Sequence, residues 1–297
     1  MLSVFDFLDV DGQFPNWANE CVNNRRTLHE VIDIPQEKVL WLDSGGYELA
    51  HLGNKQWYDP RTVCQFQMVS GCDISCILDV PFDKRTRPEQ AQKLLSTNID
   101  FAKAAVQVAS QKSSLMAVIH GIDTESMIDH AEKLIGIARP QVLAVPWRDI
   151  KPHGYVKAMA TLKSLAEMSI GRCRLHLLAA GSVKQWPFIF ACGVDSIDST
   201  SWAHKILDPK SLSWKEPHSY ARLDCTCSLC SRRQNRLISG DPSHDLNVYQ
   251  HNLVVMHDQV QLISRALADG SISEFARKVN PKMHKELKAL LFRGEGE

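Results

Sequence analysis

Three cysteines, Cys225, Cys227 and Cys230, stand in the run CTCSLC, and His251 follows twenty-one residues after the last of them. Thiolates at C-x-C-x-x-C spacing converge on one ion from a single tight turn, and a histidine opening a following helix supplies the fourth corner of a tetrahedral zinc site. Four protein ligands leave no position for substrate, so the metal is expected to be structural and the reacting groups to lie elsewhere. His244 and His257 compete with His251 for the fourth position. Cys21, Cys64, Cys72, Cys76, Cys173 and Cys192 read as packing residues; Cys72 and Cys76 are four apart, but nothing near them completes a second metal site.

Carboxylates form the second group of candidates. Asp43 and Asp79 each close a short apolar run, and Asp195 and Asp198 stand in GVDSIDS. One such aspartate is easily a helix N-cap, the common reason for Asp after a strand. Several at equivalent places suggest one mouth lined with acids.

The elements that must position these groups are six apolar runs: KVLWLDSGG (38–46), ISCILDVP (74–81), LMAVIHG (115–121), QVLAVP (141–146), RLHLLAAG (174–181) and GVDSIDS (193–199). Amphipathic stretches at 88–110, 124–138, 153–169 and 183–192 separate them. Apolar strand, polar tip and helix in repetition is the signature of a parallel sheet with crossover helices. No G-x-G-x-x-G follows the first run, which favours a TIM-like (β/α) barrel over a dinucleotide-binding sheet. MLSVFDFL reads as a seventh strand, and an eighth is not visible. In a barrel the functional groups sit at the carboxyl ends of the strands, where Asp43-Ser44-Gly45-Gly46, Asp79, His120-Gly121 and Ala144-Val145-Pro146 fall. Residues 208–250 break the rhythm with Pro, Ser, Arg and the cysteines. The expected division is a barrel core over 1–207, a zinc-binding insertion over 208–250, and C-terminal helices over 251–297 completing the barrel, the first of them spanning 251–270 and ending at Gly270.

Composition narrows the classes. At 297 residues and 44% hydrophobic the chain can bury a large core. Its 34 basic and 34 acidic residues cancel, so no global positive field draws it to nucleic acid, and any such contact must be a local patch. No apolar run is long enough to cross a membrane, and MLSVFDFLDVDGQ carries acids where a signal peptide carries bases; a soluble, cytoplasmic protein is expected.

In order, LDSGGYE resembles T-D-S-G-G-F-Q, LDVP stands at the place of D-E-C-T-P, VIHG resembles V-Q-G, and LAVP resembles G-L-A-V-G. LLAAGS resembles L-x-G-V-G, GVDSIDS resembles G-I-D-M-F-D-C, and CTCSLC with HNL resembles C-x-C-x-x-C…H-N-L. These are the motifs of the queuine/archaeosine tRNA-guanine transglycosylase superfamily, and the resemblance runs from about residue 38 to 278. It implies a pentosyltransferase that exchanges guanine in a polynucleotide for a 7-deazaguanine without cutting the backbone. It assigns Asp198 as the nucleophile at the anomeric carbon and Asp43 as the proton carrier, with retention through a covalent intermediate. Asp79 is implied as the acceptor for the guanine N–H edge. Ser44 and His120 would line the same pocket, and Gly45-Gly46 would let backbone approach the planar base. HNL also favours His251 as the fourth zinc ligand.

The departures are informative. His120 stands where the tRNA enzymes have Gln, Glu48 replaces the Gln of D-S-G-G-F-Q, and Pro146-Trp147 replace a glycine-rich floor. After the nucleophile those enzymes continue P-T-R-x-A-R-x-G, whereas this chain reads Ser199-Thr200-Ser201-Trp202-Ala203-His204-Lys205. The arginine pair is gone, leaving Lys205 and a tryptophan able to stack on a base. That pattern resembles the DNA-modifying branch, the DpdA-type DNA-guanine transglycosylases, which insert 7-cyano-7-deazaguanine or a relative; a divergent tRNA enzyme is the alternative. Arg232, Arg233 and Arg236 beside the knuckle, with Lys282, Lys285 and Lys288, form either a solvated face or a phosphate track. About forty residues precede DSGG, where the family has about two more strand–helix units. An abbreviated barrel, or one completed by a homo-oligomer or partner chain, is therefore expected, and a non-catalytic partner subunit stays open.

Overall fold

The computed structural model describes residues 2–3, 23, 26–47, 59–82, 86–109, 114–203, 205–215, 225, 227–232 and 244–292. Internal contacts divide the chain into two compact units, Met1–Pro152 with Glu167–His176, and His153–Ala166 with Leu177–Glu297.

The first unit is built on parallel strands β1 (Leu2–Ser3), β2 (Trp41–Asp43), β3 (Ile74–Cys76), β4 (Ser114–Val118) and β5 (Val142–Pro146). Each strand pairs with the next in chain order, Ser3 with Asp43, Leu42 with Ser75, Cys76 with Met116 and Val118 with Ala144. The order never reverses, so there is no switch point of the doubly wound kind, and the succession is TIM-like. The helices are α1 (Leu28–Val31), α2 (Pro60–Val69), α3 (Pro88–Val108), α4 (Thr124–Ala138) and the short α5 (Trp147–Ile150). Every residue of β5 is buried, as expected for a parallel strand covered on both faces. One side of the sheet closes over Leu28, Leu40, Leu42, Val63, Phe66 and Leu78. Local signals set the helix starts. Pro60 and Pro88 occupy first turns, where the missing N–H costs nothing, and the Asp123 carboxylate accepts from the Ser126 backbone N–H at 2.8 Å.

Helix α6 (Tyr155–Ser169) and strand β6 (Arg174–Leu178) follow. In the second unit, α7 (Trp186–Ala191) precedes β7 (Ser196–Ile197). Strands β8 (Ile206–Asp208) and β9 (Ser213–Lys215) form a separate antiparallel ribbon. Four helices complete the unit: α8 (Ser228–Arg232), α9 (His244–Ala268), α10 (Ile272–Val279) and α11 (Pro281–Leu291).

The elements follow the apolar runs, with two differences. The stretch 183–192 is a 3-10 turn followed by α7, because Pro187 lies in the first turn of that helix and cannot continue one begun earlier. Helix α9 begins at His244 rather than 251. Its buried stripe already includes Val248, packed with Ile206, Cys225 and Cys230, ahead of His251, Asn252 and Val255. His251 therefore lies two turns inside the helix instead of opening it. MLSVFDFL contributes β1, and no eighth parallel strand occurs among the described residues.

Candidate functional site

Cys225, Cys227, Cys230 and His251 come together as expected. Their ligand atoms all lie within 4.8 Å of one another, and the Cys227 and Cys230 sulfurs are 3.5 and 3.4 Å from His251 Nδ1. Zn–S and Zn–N bonds of about 2.3 and 2.05 Å at a tetrahedral angle put S and N about 3.6 Å apart, so the donor set fits the ion. The remaining ring nitrogen, Nε2, donates to the Leu207 carbonyl at 2.8 Å, which fixes the tautomer and aims Nδ1 at the metal. Burial lowers the His251 pKa and keeps the imidazole neutral, as a ligand must be. Burial and then the neighbouring cysteines push the Cys230 thiol far up, and burial raises Cys225 too; a cation is what lets these sulfurs ionise together. Among the described residues this is the one Cys/His/carboxylate group of that kind. It is a structural zinc site. His257 is exposed, and the side chain of His244 lies outside the described residues.

Asn252, next to the ligand histidine, is fully buried and carries the effect of the zinc helix to the chain beyond Asp198. Its side-chain amide donates to the Trp202 and Lys205 carbonyls at 2.8 and 2.6 Å and accepts from the Leu207 N–H at 2.8 Å. Trp202 packs edge-on against Tyr249, centroids 5.9 Å apart. Asp198 leaves β7 partly exposed. Its Oδ1 accepts from the Ala179 N–H at 2.9 Å, and its carbonyl accepts from the Ala180 N–H at 2.9 Å. Ala179 holds a left-handed φ of 59°, the local strain that turns its N–H to the carboxylate. The Trp186 indole N–H donates to the Ala180 carbonyl and the Trp214 indole N–H to that of Gly181, so both sides of this turn are pinned.

In the first unit the carboxyl ends of β2, β3 and β4 bring Asp43, Ser44, Asp79 and His120 into a second cluster. Gln67 joins the two strand ends by donating to the Leu42 and Cys76 carbonyls, each at 2.9 Å. Asn98 on α3 clamps the residue after Asp79, accepting from the Val80 N–H at 2.6 Å and donating to its carbonyl at 3.1 Å. Ser44 Oγ donates to Asp79 Oδ1 at 3.3 Å, and the Gly45 N–H donates to Asp43 Oδ2 at 3.2 Å. Gly45 needs its positive φ of 75°, and a Cβ on Gly46 would lie 2.3 Å from the Asp79 carbonyl oxygen. The buried Cys76 thiol reports the local charge: burial, then Asp43 and Asp79, push its pKa well up.

His120 is fully buried. Its Nε2 is 2.8 Å from Asp79 Oδ2, and its Nδ1 is 2.8 Å from Asp149 Oδ2. Each ring nitrogen faces a carboxyl oxygen, an arrangement that an imidazolium, with a proton on both nitrogens, satisfies at both ends. Burial alone would lower its pKa; the hydrogen bonds to Asp149 and Asp79 outweigh it and raise the value to about 9. Phe82 stacks on the ring at 5.3 Å. The His120 backbone N–H donates to His130 Nδ1 at 3.0 Å, so His130 accepts there as a neutral ring, its pKa lowered to about 3 by burial and by the His120 charge. Asp149 was not among the sequence candidates. The available signal was an acid three residues past the strand tip at Pro146, in VPWRD. Trp147, beside it, is core. Arg232 ends α8 with its side chain outside the described residues, and Glu48, Arg233 and Arg236 lie outside them altogether.

A parallel sheet wound in sequential order, with acids at its strand ends, and a structural Cys3His zinc site define a TIM-like, zinc-bearing α/β protein. The family model of queuine tRNA-ribosyltransferase matches residues 15–285, and the chain belongs to that family. It is similar to the tRNA-guanine(15) transglycosylases of Sulfolobus acidocaldarius (23% identical, over 86% of this chain and 53% of that protein) and Methanocaldococcus jannaschii (23%, over 88% and 42%). The corresponding enzyme of Pyrococcus abyssi is 25% identical over 89% of this chain and 46% of its own length. The chain spans about half the length of these curated relatives.

Proposed function

We propose that the chain is a guanine transglycosylase that replaces guanine in a polynucleotide by a 7-deazaguanine such as 7-cyano-7-deazaguanine. The observation that carries the reading is the Asp79 carboxylate, held by Ser44 and His120 beside the close-approach turn Gly45-Gly46. An acceptor-only group beside a tightly packed glycine turn suits the N–H edge of guanine. In this proposal Asp198 attacks the anomeric carbon and displaces guanine, and Asp43 gives the leaving base its proton. The incoming base then returns its proton to Asp43 and releases Asp198, so two inversions give retention. The zinc supports the fold and takes no part in these steps. The division into a core over 1–207, a zinc insertion over 208–250 and C-terminal helices over 251–297 belongs to the same proposal.

DNA is the favoured substrate, because Ser199 to Lys205 lacks the arginine pair with which the tRNA enzymes grip an anticodon loop. A guanine in duplex DNA must then be flipped out to be reached. Trp202, Lys205, Arg232 and Arg233 are the proposed contacts. A tRNA substrate is the second reading, favoured by the activity the archaeal relatives are named for. No helix among the described residues is long and apolar enough to cross a membrane. A completing partner or second copy remains part of the proposal.

The test is incubation with labelled guanine and either DNA or tRNA, with Asp198→Ala as control. Label entering DNA in the wild type, and lost in the folded variant, is the expected result. Label entering tRNA alone selects the second reading. Incorporation into neither points to a non-catalytic subunit, and full turnover by Asp198→Ala removes the nucleophile.

A further inference from the structure

The Asp79–His120–Asp149 row is a costly thing to build. Burying three charges rarely stabilises a protein more than apolar packing would, so its value lies in what it orients. His120 has no exposed surface, Asp149 is 4% exposed and Asp79 is 14% exposed, so only the Asp79 end of the row reaches outward. His120 has no N–H left to give a base, since each ring nitrogen already faces a carboxylate at 2.8 Å. A cation stands at the far end. Arg148 Nε lies 3.4 Å from Asp149 Oδ1, and its guanidinium sits 4.3 Å above the Tyr47 ring. The charges therefore alternate as Arg148, Asp149, His120, Asp79.

We propose that Asp149 is a specificity-determining positioning residue. Through His120 it fixes the orientation of the Asp79 carboxylate, so the site takes purines that offer adjacent N–H donors, the 2-amino-6-oxo edge of guanine and its 7-deaza relatives. A purine offering a ring-nitrogen acceptor, as adenine does, meets two lone pairs and is rejected. This rests on the base-exchange reading and goes beyond it, because it moves His120 from a base contact to a relay and brings in Asp149.

Among the described residues, the groups facing His120 are few. Asp79 follows β3, and Asp149 with Arg148 comes from α5. His130 on α4 is neutral, and the Phe82 ring cannot titrate. With Asp149 present the imidazolium persists until the pH approaches about 9. With Asn at 149 the amide still reaches Nδ1, but one stabilising charge is gone and the ring loses its proton at lower pH.

The experiment measures guanine and adenine binding by calorimetry from pH 6 to 8.5 for the wild type, Asp149→Asn and His120→Gln, each variant compared with the wild type at the same pH so that ionisation of the base cancels. Imidazole 15N spectra of the same proteins give the charge of His120 without reference to activity. A charged His120 at pH 8 in the wild type is expected. Asp149→Asn should lose guanine affinity about tenfold for each pH unit above its own, lowered proton-loss pH, with a matching loss of preference over adenine, while His120→Gln should weaken binding with no pH break. Superimposable profiles for the wild type and Asp149→Asn overturn the inference and leave the base-exchange reading standing. A neutral His120 at pH 8 overturns it even if both variants fail to fold. Absence of guanine binding by a wild type whose His120 is charged removes the guanine reading, and this inference with it.

Discussion

At the scale of single residues, the site is held by groups that do no chemistry themselves. Gln67 donates both amide hydrogens, and Asn98 spends both ends of its amide, on backbone beside Asp43 and Asp79, and the Gly45-Gly46 turn removes the side chains that would stand in the way. Gly46→Ala is the sharpest local probe. Its Cβ would lie 2.3 Å from the Asp79 carbonyl and 2.9 Å from Oδ1, and both belong to a clamped segment that cannot easily yield. A loss of about 1–3 kcal/mol in stability, with guanine binding reduced, is expected. Thermal denaturation together with base binding checks this; an alanine variant equal to the wild type in both would mean that Asp79 is not held as described. Asn98 was partly legible beforehand, since it is a polar residue on the stripe Ala91, Ala102 and Ala105 that α3 turns inward. Asp149 was harder to see, because nothing in VPWRD announces that its carboxylate meets a histidine twenty-nine residues earlier.

At the scale of elements, the zinc site ties α9 to β8 and to the segment after Asp198. His251 and Asn252 stand side by side, one binding metal and Leu207, the other holding Trp202, Lys205 and Leu207 by their backbones. Cys227→Ser should therefore release the metal, lower the midpoint of thermal unfolding by several degrees and disturb Trp202. Elemental analysis, calorimetry and tryptophan fluorescence read the three effects. Retained zinc would refute the ligand assignment, and an unchanged Trp202 signal in a zinc-free protein would refute the tether. The cysteine spacing made the ligands legible, but the start of α9 was hidden by the polar run Tyr249-Gln250 ahead of His251.

At the scale of the whole molecule, two buried histidines make stability depend on pH in opposite senses. His120 has its pKa raised to about 9, so its contribution is complete below the unfolded value near 6.5 and is lost as pH rises through 9. His130 has its pKa lowered to about 3, so its contribution is complete above 6.5 and is lost as pH falls toward 3. These two groups together place the most stable pH near 6.5. Denaturant midpoints from pH 4 to 9.5 test this, with His130→Gln expected to flatten the acid limb and leave the alkaline one. An alkaline limb unchanged by His120→Gln would mean that the imidazolium is not the source of the loss.

Periodicity and motif order by themselves determined the alternation of strand and helix, the Cys3His ligand set, and the places of Asp43, Asp79 and Asp198 at strand ends. Those features depend on spacing along one stretch of chain, which local geometry converts directly into position. Tertiary structure alone decided that His120 lies between Asp79 and Asp149, and that Asn252 clamps the chain beyond Asp198. Both follow from burial, which brings residues distant in sequence within 3 Å and makes an unpaired polar group too costly to leave without a partner.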